Sequence, residues 1–291
     1  MTTTKSLAMS VSKPLPISER ITTSQLLILN HIYKFRFVST RQLQVVLGKK
    51  QIQQVQQRLN LLITKGYIGR NFSKTNRLTG QYASYYLLPK GMKLMKQRVD
   101  ADGHIVGKPK LEPRVLHNAY KDREASTRFI NHSIGVGDIF CELVSQYGKD
   151  LHFVPKSLLV VYDYLPAVKP DAYLSLLGKT KDDLRTYFLE YCEETVPFWV
   201  YRKRIKEYID YTDDETWEEA VNTPMPTVLL IAETPVLQRR LQRFLKRALP
   251  DSYSNVRFLV TNREALTTAE REDAIWLELD EDEEWVEQRL L

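Results

Sequence analysis

Asp171 follows a proline in the run VKPDAYLSL, and the run TYFLEYC, after a polar stretch, GKTKDDLR, ends in Glu190, Tyr191 and Cys192. Two alternating segments joined by a short polar turn predict neighbouring strands. Two acids on neighbouring strands form an oxygen donor set for a divalent cation such as Mg2+. A metal held there could set water against a phosphate ester. Cys192, two residues beyond Glu190, reads as a small buried residue. His132, in FINHSIGVGD, reads as a satisfied histidine on a packed helix rather than a ligand. Cys141 and Cys192 are the only cysteines, too few for a disulfide framework or a zinc site. No Gly-rich phosphate loop, HExxH pair or Ser/His/Asp arrangement occurs, so ATPase and general hydrolase classes find no support.

Charge is the strongest global signal. The 291 residues carry a net +6, but residues 1–130 hold 23 Lys/Arg against 6 Asp/Glu, and the remainder holds 19 against 30. Residues 21–99 contain 14 Lys/Arg and no acid at all. A solvated face mixes signs, so an acid-free basic module points to a polyanion.

The basic half has the elements to present that charge. Leu26, Leu29 and Tyr33 share one face of a first helix. Ser39 or Thr40 can cap a short second one carrying Leu43, Val46 and Leu47, with Gly48 after it. A third helix in KKQIQQVQQRLNLLITKG buries Ile52, Val55, Leu59, Leu62 and Ile63 and stops at Gly66. Its other face carries Gln53, Gln57 and Asn60, flanked by Gln54 and Arg58, with Lys49 and Lys50 at its entry. Gln, Asn and Arg are the side chains that read base edges in a major groove. Two aromatic-rich runs then flank a polar loop with Lys74, Arg77 and Gly80, a hairpin with a basic tip. Three helices and a basic hairpin predict a winged helix-turn-helix, with the wing along the phosphates and the third helix in the groove. A last helix near Gly91 contributes Leu94 and Met95.

Beyond the Gly/Pro-containing stretch VDADGHIVGKPKLEPR, a long helical segment runs from Leu116, with Gly135 and Gly137 marking close packing or a break. The Asp171 and Glu190 strands follow. Next comes a helix in TVPFWVYRKRIKEYIDY, with Thr195 as cap and Pro197 in its first turn. MPTVLLIAE and NVRFLVTN read as strands around an amphipathic helix, PVLQRRLQRFLKRAL. This order suits a layered domain with a mixed sheet.

A winged helix followed by KPDAYLSL, a hairpin, YFLEYCEET, the basic helix RKRIKEYIDY and a late RFLVTN resembles the replication-relaxation proteins of plasmids and other mobile elements, from Thr22 to Asn262. The resemblance implies a second domain of the PD-(D/E)XK, restriction-endonuclease-like type, with Asp171 and Glu190 as its acids and metal ligands. The lysine of that pattern falls on Cys192, and a thiol supplies no fixed positive charge. Glu193 lies next to it, where these proteins show an acid. Lys203 and Lys206 on the following helix are the candidates to restore the charge, with Lys206 taken as the third catalytic residue. The two carboxylates should then lie on one side, facing that helix.

The expected architecture is α+β or α/β. Residues 1–20 form a disordered lead and 21–98 the winged helix. Residues 99–115 are a linker, 116–279 the nuclease-like mixed-sheet domain and 280–291 an acidic tail. The expected function is that of a sequence-recognising DNA-binding protein of a mobile element, acting in replication, mobilisation or its control, with a degenerate nuclease-like domain. The enzyme assignment stays open and leans to none. DNA-binding residues are Lys49, Lys50, Gln53, Gln54, Gln57, Arg58, Lys74 and Arg77, and they need no cofactor; Mg2+ is the ion the acids would take. One alternative is an active Mg2+-dependent DNA endonuclease. The other is an adaptor recruiting a relaxase, replication initiator or transposition partner. Double-stranded DNA is the expected partner, alongside a protein of the transfer or replication complex, and homodimerisation through the first or last helix stays open. No run of eighteen apolar residues and no signal-peptide h-region occurs, which predicts a cytoplasmic protein away from membranes.

Overall fold

The computed structural model describes residues 21–72, 78, 80, 82–102, 117, 119–178, 180, 183–249 and 256–291. Helix α1 (Thr23–Phe35) begins at Thr22 with a reciprocal cap: the Thr22 hydroxyl accepts from the Gln25 amide, and the Gln25 side chain accepts from the Thr22 amide. Ser39 and Gln42 repeat the device at α2 (Thr40–Val46), so Ser39, not Thr40, is the cap. Helix α3 (Ile52–Thr64) buries Val55, Leu59 and Leu62, and Gly66, at φ 72°, takes the left-handed turn that ends it. Strands β2 (Ile68–Asn71) and β3 (Ser84–Leu87) pair antiparallel, and β3 also pairs with β1 (Val38–Ser39), a two-residue strand that the sequence pattern did not announce. Helix α4 (Pro89–Asp102) closes this unit with Leu94 and Met95 in the core.

The second part is a seven-stranded mixed sheet. It contains β4 (Leu151–Pro155), β5 (Ala172–Leu177), β6 (Leu184–Cys192), β7 (Thr227–Ala232), β8 (Phe258–Asn262), β9 (Trp276–Leu279) and β10 (Trp285–Gln288), side by side in chain order. Pairs β6/β7 and β7/β8 are parallel; the outer pairs are antiparallel. The parallel steps need crossovers, which α7 (Phe198–Asp213) with α8 (Thr216–Val221), and then α9 (Pro235–Ala248), provide. Helix α5 (Thr127–Tyr147) covers one face together with α1; α7 and α9 cover the other. Alternation along β6 sends Tyr187 and Leu189 to the first face and Phe188 and Cys192 to the second. Central β7 is buried on both, hence its unbroken VLLIA.

Several expectations change. The long helix starts at Thr127 under a Ser126 cap rather than near Leu116. It runs unbroken through Gly135 and Gly137, where an added Cβ would stand 2.3 Å from the Tyr191 ring and 2.8 Å from the Gln42 amide; close packing is their role. Thr195 does not cap α7, whose N-cap is Pro197. The stretch LHFVPKSLLVVYDYL begins as strand β4 and continues at Lys156 into the short helix α6 (Lys156–Leu159). The acidic end is not a free tail: β10 pairs with β9, Leu290 is buried, and the Leu290 carbonyl accepts from the Tyr187 hydroxyl at 2.5 Å. The expected lead, 1–20, lies outside the described residues, as does most of the 99–115 linker, whose first residues belong to α4.

The two parts share one core. It runs from Ile21 through α1 and α3 into α5 and the first face of the sheet, as far as Leu290. Polar contacts reinforce it. The buried Gln42 amide donates to the Ile134 carbonyl at 2.7 Å and to Asp138 at 2.8 Å. Arg36 donates through Nε to Asp122 at 2.9 Å, and Ser157 donates to the Lys34 carbonyl at the end of α1. Buried donors and acceptors that find partners across a boundary fix the orientation of the parts.

Candidate functional site

Two places collect the residues that could do chemistry. The first is the end of the large sheet where parallel strands β6 and β7 terminate, the customary ligand-binding edge of such sheets. The register Ala172↔Leu189 carries on to set Asp171 against Glu190, and the Asp171 amide donates to the Leu189 carbonyl at 2.9 Å. Asp171 and Glu190 are thus adjacent, as the sequence suggested.

Their carboxylates part company. Asp171, 4% exposed, turns to α5: Oδ1 lies 3.1 Å from His132 Nε2 and 3.3 Å from Lys156 Nζ, and Oδ2 accepts from the Tyr191 amide at 3.0 Å. His132 Nδ1 meets Glu193 Oε2 at 2.7 Å. The imidazole bridges two carboxylates. Burial alone would lower the His132 pKa, but Asp171 and Glu193 outweigh it and raise it to about 10, so the ring is a cation. Burial opposes the Asp171 charge, yet His132, Lys156 and the Tyr191 amide hold its pKa far below the usual range.

Glu190 turns to the opposite helix layer. Its Oε1 accepts from Arg204 Nε at 2.9 Å, Arg204 Nη2 at 2.6 Å and the Tyr208 hydroxyl at 2.5 Å. Arg204 donates to Tyr208 as well and lies over its ring. Arg204, not Lys203 or Lys206, is the cation of α7 that pairs with Glu190. Lys206 is on the exposed side of α7, and Lys203 is 69% exposed with Glu207 3.8 Å away.

The acids are therefore occupied by cations of the chain itself. A Mg2+ site needs carboxylate oxygens converging on one point. Here one acid faces each helix layer, and among the described residues no group of three His, Cys, Asp or Glu side chains is arranged to hold a metal ion. The donor set does not fit Mg2+ in this arrangement. Cys192 is buried, and burial pushes its thiol well above the ordinary range, leaving an inert neutral group.

The second place is the outer surface of α3. Gln53, Gln54 and Gln57 are exposed along it, and Lys50 is exposed at its entry with Lys49 half-buried beside it. Arg58 is half-buried and donates to the Gln54 carbonyl at 2.7 Å, which draws its guanidinium along the helix. Asn60 accepts from Gln56, which also reaches the Tyr85 hydroxyl and ties this face to β3. Arg41, exposed on α2, adds a cation that the sequence reading passed over. Lys74 and Arg77 lie outside the described residues.

Sequence reasoning missed Arg204, Tyr208 and Lys156. The first two were within reach. The buried stripe of α7 is Tyr201, Ile205, Tyr208 and Ile209, and Arg204 falls inside it, whereas Lys203 and Lys206 fall outside. Lys156 comes from the turn into α6, and nothing local marks it.

Fold and sites together define a mixed α/β protein in which a helical unit with a small three-stranded sheet and a basic sequence is fused through a shared core to a seven-stranded sheet with self-paired acids. The chain belongs to the replication-relaxation family, whose model matches residues 29–225, from α1 to just before β7. No curated protein and no solved structure matches it. Among the described residues, no helix is long and apolar enough to cross a membrane.

Proposed function

We propose that the chain is a double-stranded-DNA-binding protein of a mobile element, acting in replication, mobilisation or the control of either. In this reading the N-terminal unit is a winged helix whose α3 enters the major groove. The sheet domain is a nuclease-like scaffold that does not cut. The observation that carries the proposal is the outer face of α3: exposed Gln53, Gln54 and Gln57 in a unit with no acid between residues 21 and 99. Side-chain amides can pair bidentately with adenine edges, and arginine with guanine. Family membership supports a role in replication. The internally paired Asp171 and Glu190 support a scaffold rather than a metal-dependent nuclease.

The test separates reading from holding in the full chain. Gln57→Ala with Arg58→Ala should relax sequence preference by roughly 1–3 kcal/mol per good bidentate contact. Lys74→Ala with Arg77→Ala should weaken all duplexes alike and flatten the salt dependence. A reversed pattern, with preference altered only by the Lys74 and Arg77 changes, would remove α3 from the groove.

A further inference from the structure

Helix α9 lies on the sheet face opposite α1 and α5, and outside the segment that matches the family model. Its sequence, PVLQRRLQRFLKRA, holds five cations and no acid, inside a half of the chain where acids outnumber bases. Leu237, Leu241 and Leu245 bury its apolar stripe in the core. The other side leaves Arg239, Arg240 and Arg243 exposed. No acid pairs with these three arginines among the described residues: Arg240 stacks over the Phe198 ring at 4.6 Å, and Arg243 Nε donates to the Arg239 carbonyl at 3.3 Å. Next to Phe198, Trp199 is 59% exposed. Farther along α9, the acidic turn between β9 and β10 takes the last exposed lysine, with Lys246 Nζ donating to the Glu283 carbonyl at 2.9 Å.

We infer that the Arg239–Arg240–Arg243 face of α9 is a second DNA-backbone contact, separate from α3 and on the other side of the sheet. The chemistry selects phosphate. Arginine's planar fork matches a phosphate bidentately. At 1.5 Å rise per residue, Arg239 and Arg243 stand about 6 Å apart along the axis, within reach of successive phosphates. A membrane surface is disfavoured, because a helix that lies in lipid must offer its apolar face, and this one is spent on the core. Three arginines along one helix face with no carboxylate between them match the regular run of like charges on a phosphate backbone, and an acidic polypeptide is the competing occupant.

The test uses the full chain and a labelled duplex. Arg239→Gln, Arg240→Gln and Arg243→Gln together form one variant. Lys50→Gln, Gln57→Ala and Arg58→Ala together form a second, and a third carries all six changes. Each lost phosphate contact removes about 0.9 from the slope of log affinity against log salt, so the α9 variant should flatten it by about 2–3 with its thermal midpoint unchanged. The α3 variant should keep weak, salt-sensitive binding at low salt, and the six-fold variant should bind more weakly still, with a slope flatter by about a further 2–3. An α9 variant with an unaltered slope, or a six-fold variant no weaker than the α3 variant, would overturn the inference. So would loss of poly-glutamate binding with DNA binding intact, which would assign the face to an acidic polypeptide. Failure of the α3 reading is separately visible, as an α3 variant that binds like the parent.

Discussion

Arg204 and Glu190 form a buried pair between α7 and β6, with Nε and Nη2 of the arginine both on Oε1 of the acid, at 2.9 and 2.6 Å. Their side chains are only 9% and 12% exposed. Removing one partner strands the other charge without water. Arg204→Leu should therefore cost about 3–5 kcal/mol of folding stability. Adding Glu190→Gln removes the stranded charge while leaving an acceptor for the Tyr208 hydroxyl, so Arg204→Leu with Glu190→Gln should recover most of the loss. Urea unfolding of the three proteins measures both effects. A single variant as stable as the parent would mean the pair is solvated.

The His132 bridge predicts a shape for stability against pH. The folded pKa of His132 is raised to about 10, so its contribution is fully present below the unfolded value of 6.5 and is lost as pH rises through about 10. The folded pKa of Asp171 is depressed, so its share is present above 3.8 and lost as pH falls. The parent should be less stable at about pH 9.5 than at about pH 6, and His132→Gln should show a shallower decline over that interval. Equal declines in parent and variant would show that the imidazole does not bridge the two acids as a cation.

Supercoiled plasmid incubated with the purified chain and Mg2+ or Mn2+ should stay intact, because Asp171 and Glu190 face opposite helix layers and each is already paired. Robust nicking that disappears in both Asp171→Ala and Glu190→Ala would contradict this and establish a metal-dependent endonuclease. Nicking that survives both changes would point to another site or a contaminant.

Local signals made much of this molecule legible. A cap at Ser39 or Thr40, the apolar stripe of α3, the alternation in β5 and β6 and the all-apolar β7 are each written in a few consecutive residues, and the structure follows them, choosing Ser39 for the cap. What could not be read depends on distant partners. Strand β1 is two residues long and exists because β3 is beside it. The acidic end becomes a strand by pairing with β9, although its composition reads as solvated. Asp171 and Glu190 could be placed on adjacent strands from sequence, but the directions of their carboxylates depend on His132, Lys156 and Arg204, which come from three other elements. Gln42, half of the reciprocal cap at Ser39, also binds α5, 92 residues away, and no local pattern marks that second role.

The most direct test of the account is the affinity of the full chain for double-stranded DNA, including duplex from its own element, across a series of salt concentrations. Phosphate contacts from Lys49, Lys50 and the other cations of the acid-free stretch 21–99 release counterions, so log affinity should fall linearly and steeply with log salt. Binding that is absent at low salt with every duplex tried, or that does not respond to salt, would contradict it.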